Sequence, residues 1–219
     1  MKTLQIATFG SEGQDAIAYG IKSFPIHKLV LLCFYKDKNK AEEFSRRIKS
    51  ILGLEITIAI VTQENVIKDT MDRINEILQL HKKEFEDVLM NVSCGDKLLG
   101  CAALSTAFIH GIKAFGMDHT HTIPLMMPVL KLSYNEIISE AKKRILAAIE
   151  SAGGIIESFD QLEKISGFGK PLLSYHIQGS KEAKGLAELG LVDVEKGDRN
   201  KITARITTLG KLLIKSNSL

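Results

Sequence analysis

One segment limits the fold more than any other. Lys28–Tyr35 reads KLVLLCFY, a nearly continuous apolar run of eight residues. It is short for a buried helix and lacks the alternation of a half-solvated strand, so it predicts a strand covered on both faces. The segments around it alternate in the way a parallel sheet requires. Leu4–Phe9 is β-like and ends at Gly10, and Gln14–Ser23 reads as a helix closed by Pro25. Lys40–Leu52 places Phe44, Ile48, Ile51 and Leu52 on one helical side, with Gly53 as a stop, and Leu54–Thr62 is rich in β-branched residues. Val66–His81 has helical spacing, Phe85–Val92 contains a strand, and Leu98–Ile109 is a helix of small apolar residues. Ile112–Met117 and Ile123–Val129 complete the series as strands too close together for a helical crossover, which predicts an antiparallel pair at one edge. The expected class is α/β, a Rossmann-like, mostly parallel sheet with helices on both faces.

From about Leu132 the texture changes. Tyr134–Ser151 predicts a long amphipathic helix ended by Gly153-Gly154, and Phe159–Ile165 a short one for which Ser158 and Asp160 are alternative caps. A Ser166–Gly169 turn follows. Pro171 then suits the first position of a helix carrying Leu172, Leu173, Tyr175 and Ile177. Leu186–Leu191 adds a helical turn with Gly190 as its cap. Leu191–Glu195 and Lys201–Thr207, joined by Gly197–Asn200, predict a hairpin, and Thr208–Ile214 opens a closing helix. This order is that of a winged helix-turn-helix. The expected division is 1–132 for the sheet domain and 133–219 for a DNA-binding domain. From Tyr134 onward thirteen basic residues face eleven acidic ones, so net charge decides nothing and placement matters more. Lys196, Arg199, Lys201 and Arg205 fall on the hairpin, and Lys170, Lys181 and Lys184 flank the recognition helix. Ser174, Tyr175, His176 and Gln178 offer its base-reading side chains. The competing reading is a solvated charged face on a module that contacts protein.

Composition excludes several classes. With 219 residues, 45% hydrophobic, the chain can form one or two domains, and it has no apolar run near the roughly 20 residues a membrane span needs. The N-terminus turns polar too soon for a signal peptide and reads as a strand. Cys33, Cys94 and Cys101 are few, odd in number and without a CxxC pair, which argues against a disulfide framework and for a reducing cytoplasm. Without Trp and with 6% aromatics, a broad stacking platform for single strands is disfavoured.

Ligand chemistry is expected beyond the carboxyl ends of the parallel strands. Two loops stand out there. Thr8–Ala16, TFGSEGQDA, brings Phe9, Gly10, the Ser11 hydroxyl and backbone N–H groups to the head of a helix, as an anion site does. It is neither GxGxxG nor a Walker loop, and it also fits a plain tight turn. Asn91–Gly100, NVSCGDKLLG, sets Asn91, Ser93, Cys94, Gly95 and Lys97 before another helix, a phosphate cradle in chemical terms. Asp96 would repel phosphate unless it pairs with Lys97, caps the helix or accepts from a ribose or base.

A hydroxyl/Gly loop after the first strand and NVSCGDK after the fourth resemble the CARF (CRISPR-associated Rossmann fold) family. The archaeal CARF–winged-helix transcriptional regulators are the most similar architecture, over nearly the whole chain. KPLLSYHIQG followed by GLAELGLV resembles their recognition-helix region. The second family motif usually reads N-V-T/S-G-G-T-K; here Cys94 replaces its first Gly and Asp96 its Thr. The resemblance implies a homodimer whose loops form one pocket across the two-fold axis. It implies a cyclic oligoadenylate as effector, often the tetramer, and double-stranded DNA as partner. Thr8, Gly10 and Ser11 would line one wall, and Ser93, Gly95 and Lys97 the other. No metal and no further cofactor are expected.

Two alternatives share this architecture: a ring nuclease, with Lys97 stabilising charge as a 2′-hydroxyl attacks its phosphate, and a regulator sensing another nucleotide outside CRISPR defence. His110, His119 and His121 are too few for a defined metal site, and a serine-hydrolase elbow and a dinucleotide fingerprint are absent. Cys94, at a helix head, is open to a redox role or to plain burial.

Overall fold

The computed structural model describes residues 2–81, 83–118, 120, 122–128, 138–180, 183–196 and 202–217. The chain divides into two compact units, Met1–Ser133 and Tyr134–Leu219.

The first unit is built on six strands: β1 Thr3–Thr8, β2 Lys28–Phe34, β3 Glu55–Val61, β4 Asp87–Asn91, β5 Lys113–Met117 and β6 Pro124–Met126. Their order is β3-β2-β1-β4-β5-β6. The first five run parallel, and β6 is antiparallel to β5 at one edge. β1 and β2 are buried along their whole length, which is why KLVLLCF carries no polar alternation. Among the described residues four α-helices cover the sheet: α1 Gln14–Ser23, α2 Lys38–Leu52, α3 Val66–His81 and α4 Lys97–Ile109. The strand period of two sorts side chains between them. Ala7, Leu29, Leu31 and Cys33 pack with Ile17 of α1 and Phe44 and Ile48 of α2. Leu4, Ile6, Val30 and Leu32 pack with Ile74 and Ile77 of α3 and Leu99 and Ala103 of α4. The last strand is shorter than the predicted Ile123–Val129. Pro124 and Pro128 bracket it, and proline removes ladder donors.

The second unit contains α5 Glu140–Ser151, β7 Ile155–Ile156, α6 Phe159–Ser166, α7 Lys170–Gln178, β8 Val192–Lys196, β9 Ile202–Ile206 and α8 Thr208–Asn217. The helix expected from Tyr134 starts instead at Glu140, because the Ser139 hydroxyl caps it by accepting from Lys142 N. Ser158, not Asp160, caps α6. Pro171 sits at the second position of α7, after Lys170. Leu186–Leu191 forms a single turn, closed by Leu189 N donating to Gly185 O. A third strand, unforeseen in the sequence, is β7: Ile155 and Ile156 pair with β9 opposite its partner β8. Ile145, Ile149, Leu162, Leu173, Ile177, Leu191 and Ile206 form this unit's own core. The turn at 197–200 and the segment 129–135 between the patterns lie outside the described residues.

Candidate ligand site at the switch point

The order of the sheet reverses at β1, which has β2 on one side and β4 on the other. Crossovers leave in opposite directions from these strands, so the loops after β1 and β4 meet over the carboxyl edge. Their contact is backbone on backbone. A Cβ on Gly10 would lie 2.8 Å from Gly95 Cα, and a Cβ on Gly95 would lie 3.1 Å from the carbonyl carbon and oxygen of Phe9. Gly95 also has φ +97°, a region that side chains rarely occupy.

Hydrogen bonds lock this apposition. The Thr8 hydroxyl, fully buried, donates to Cys94 O, with Asn91 O 3.4 Å away. Asn91 Oδ1 accepts from Ser93 N at 3.0 Å and from the Ser93 hydroxyl. Cys94 Sγ donates to Glu12 O at 3.0 Å, across the two loops. Burial pushes the Cys94 thiol up from its ordinary pKa, partly offset by backbone hydrogen bonds from Gly10 and Gly95. The thiol is therefore a packed donor and not a poised thiolate. Cys33 is likewise raised, to about 11, by burial and by the Asp37 charge.

The ten expected ligand residues thus separate by exposure. Thr8, Phe9, Gly10, Asn91 and Cys94 are buried and shape the loops from beneath. Ser93 is half-buried, while Ser11, Gly95, Asp96 and Lys97 are exposed. Of the three roles open to Asp96, the structure shows the cap: its Oδ1 accepts from Leu98 N at 2.8 Å and Leu99 N at 3.4 Å. That leaves Lys97 at the first position of α4, with no ion pair among the described residues. Beside Ser11 lies a cavity of about 230 Å³ whose other walls are Gln14, Lys40, Glu43, Phe44 and Arg47. The α2 residues were missed, although Lys40, Glu43 and Arg47 share the helical spacing that marks a common face.

α4 is apolar on more than its packed side. Leu99, Ala102, Ala103, Thr106 and Ala107 are buried, while Leu98 and Cys101 are exposed. Leu98 is 57% exposed. His110, just beyond α4, bonds through Nε2 to Asn75 Oδ1 of α3, and burial lowers its pKa. It is a packing residue between two helices. His119 and His121 lie outside the described residues.

In the second unit, Leu173 and Ile177 hold α7 in the core and leave Lys170 and Tyr175 exposed. Lys170 pairs with Asp160 of α6, which raises the lysine's pKa and lowers the aspartate's. Tyr175 is 43% exposed. Ser174, His176 and Gln178 are half-buried, and burial with the Lys142 charge lowers the pKa of His176. Lys184 is exposed, and its carbonyl accepts from the buried Lys142 ammonium. Lys196 ends β8 and Arg205 is an exposed residue of β9. Lys181, Arg199 and Lys201 lie outside the described residues.

Residues 3–120 match a family model described as "HFX_2341_N:-like, N-terminal". No curated protein matches the chain. Among solved structures, Csm6 of Enterococcus italicus bound to cyclic hexa-2'-fluoro-hexa-dAMP is similar at a TM-score of 0.52 and 11% identity, over 75% of this chain and 49% of that one. Protein VC1899 from Vibrio cholerae gives 0.48 at 11% identity, over 97% and 66%. Can2 from Sulfobacillus thermosulfidooxidans in complex with cyclic tetra-adenylate gives 0.44 at 12% identity, over 98% and 62%. The chain thus spans about half to two thirds of the length of these proteins. At 11% identity the likeness to Csm6 is one of fold.

Proposed function

The chain belongs to the HFX_2341_N-like, N-terminal family, and from that premise we propose that it is a ligand-responsive, DNA-binding regulator whose α/β unit is a CARF-type sensor of cyclic oligoadenylate. The carrying observation is the pair of loops locked together at the switch point, with Lys97 at the head of α4 and unpaired among the described residues. Glycines at 10 and 95 let the two loops pack backbone on backbone, and Lys97 with the α4 N-terminus supplies positive charge for phosphates at their rim. That Csm6, of the same fold, is seen with a cyclic hexanucleotide analogue supports a ring as the ligand class.

The unit acts as a homodimer through the outer face of α4. A helix apolar on both sides needs cover on both, and Leu98 and Cys101 have none among the described residues. A two-fold axis there brings two copies of the loops to one ring. The second unit is a winged helix-turn-helix, α7 entering the major groove with Ser174, Tyr175, His176 and Gln178 toward base edges. Lys170, Lys181, Lys184, Lys196, Arg199 and Lys201 contact phosphates. Ligand shifts the balance between two placements of the α7 helices by its difference in affinity for them. The setting is CRISPR antiviral defence in the cytoplasm.

Thermal unfolding with cyclic tri-, tetra- and hexa-adenylate tests the sensor, with linear oligoadenylate and NAD as controls. A ring at about 100 times its Kd adds roughly 2.7 kcal/mol of stability. A shift with a cyclic species and not with the controls is expected; no shift with any ring overturns the reading.

A further inference from the structure

The cavity between the β1–α1 loop and α2 is not needed by a ring lying over Gly10 and Gly95. Its chemistry is distinctive. Lys40 and Arg47 enter it from one face of α2, Ser11 and Gln14 from the opposite wall, and buried Phe44 forms the floor. Arg47 lies over the Phe44 ring at 5.5 Å, which holds its guanidinium at the cavity. Neither Lys40 nor Arg47 has an ion-pair partner among the described residues, whereas Lys38 and Lys68 do. α2 carries five basic and two acidic residues, the +3 that the whole chain shows. Gly13 heads α1 with no side chain to cap it; Ala16 N donates to Gly13 O, and the Gln14 and Asp15 N–H groups beside Ser11 have no side-chain cap.

Size and charge select the occupant. At about 230 Å³ the cavity is smaller than the roughly 300 Å³ of a pocket that takes a whole small ligand. It suits an end group whose body lies elsewhere. A phosphomonoester carries about −1.5 to −2 charge and three acceptor oxygens at pH 7. Lys40 and Arg47 outweigh Glu43 by one charge in the same wall, an excess that attracts the dianion of a monoester more strongly than the single charge of a diester. We propose that this cavity seats the terminal phosphate of a linear oligoadenylate whose chain continues past Ser11 over the β1 and β4 loops. The adenylate identity rests on the sensor reading above; the terminal phosphate rests on α2. A ring has no such end, so the cavity separates open from closed ligands.

Calorimetry with the full chain tests this with four probes: cyclic tetra-adenylate, and linear tetra-adenylate unphosphorylated, 5′-phosphorylated or 3′-phosphorylated. One phosphorylated form is expected to bind at least tenfold tighter than the unphosphorylated one. Lys40→Ala and Arg47→Ala, both exposed positions, should close that gap to within about twofold and leave ring affinity unchanged. Glu43→Gln should widen it. Melting curves of each variant verify folding. Equal affinities for all linear forms, or a gap that survives both alanine variants, overturn the cavity proposal. If the ring binds without a gap, the sensor reading stands and the cavity falls; if the gap appears without ring binding, the reverse holds. Loss of all binding overturns both.

Discussion

Three glycine-to-alanine variants separate conformational strain from loop contact. Gly53 has φ +65° and open space for 4 Å around the point a methyl would occupy, so Gly53→Ala meets strain alone. An L-residue in that region costs about 1–2 kcal/mol. Gly10 has an ordinary φ, but its methyl would lie 2.8 Å from Gly95 Cα, a backbone atom that cannot rotate away. Forcing the loops apart should cost about 1–3 kcal/mol, the range for overpacking. Gly95 combines both effects, at φ +97° and 3.1 Å from Phe9, so Gly95→Ala should cost about 2–5 kcal/mol. Urea unfolding reads these values as shifts in midpoint at constant slope. The expected order is Gly95 above Gly10 and Gly53, with ligand affinity lost at 10 and 95 and kept at 53. A Gly10→Ala protein as stable as the parent would refute the apposition of the two loops, and with it the shape of the site.

Four other outcomes follow from the same geometry. Asp96→Ala should cost about 1 kcal/mol through loss of the α4 cap, while Asp96→Asn keeps most of that stability, measured by urea unfolding. With Cys33 and Cys94 buried and Cys101 covered at the α4 dimer face, the native dimer should resist a thiol reagent near pH 8 and take up three equivalents in denaturant; mild oxidation should yield a covalent dimer that Cys101→Ser abolishes. Burial holds His110 below its ordinary pKa of 6.5, so the unfolded chain binds the extra proton first; stability should fall as pH drops below about 6.5, and His110→Gln should flatten that slope. Cys33 gives the opposite sign. Its thiol ionises at about 11 when folded against 9.0 ordinarily, so stability should decline from pH 9.0 toward about 11, measured by the same unfolding series.

The architecture of the sheet was legible because strand burial writes itself into sequence. β2, covered on both faces, has a nearly unbroken apolar run, whereas β1, equally buried, carries Gln5 between apolar neighbours; the short spacing between β5 and β6 forces an antiparallel return. Helix starts were read less well. Ser139 and Ser158 cap by local geometry that competes with other nearby candidates, and β7 is two residues whose pairing partner lies some fifty positions away. At the site, the loops were visible as glycine and hydroxyl clusters at helix heads. Which residues face outward was not. Thr8 and Asn91 look like ligand groups in sequence, yet the Thr8 hydroxyl donates to Cys94 O of the neighbouring loop and Asn91 Oδ1 accepts from Ser93 within its own. The cations of α2 were hidden for a different reason: nothing local in Lys40 or Arg47 shows that α2 runs beside Ser11.

Calorimetric titration of cyclic tetra-adenylate into the wild-type protein and Lys97→Ala tests the central claim most directly. One ring per two chains with the wild type, and none with a variant that retains its melting temperature and dimer, is the predicted result. Equal binding by both proteins, or one ring bound per single chain, would contradict a sensor built from two copies of these loops.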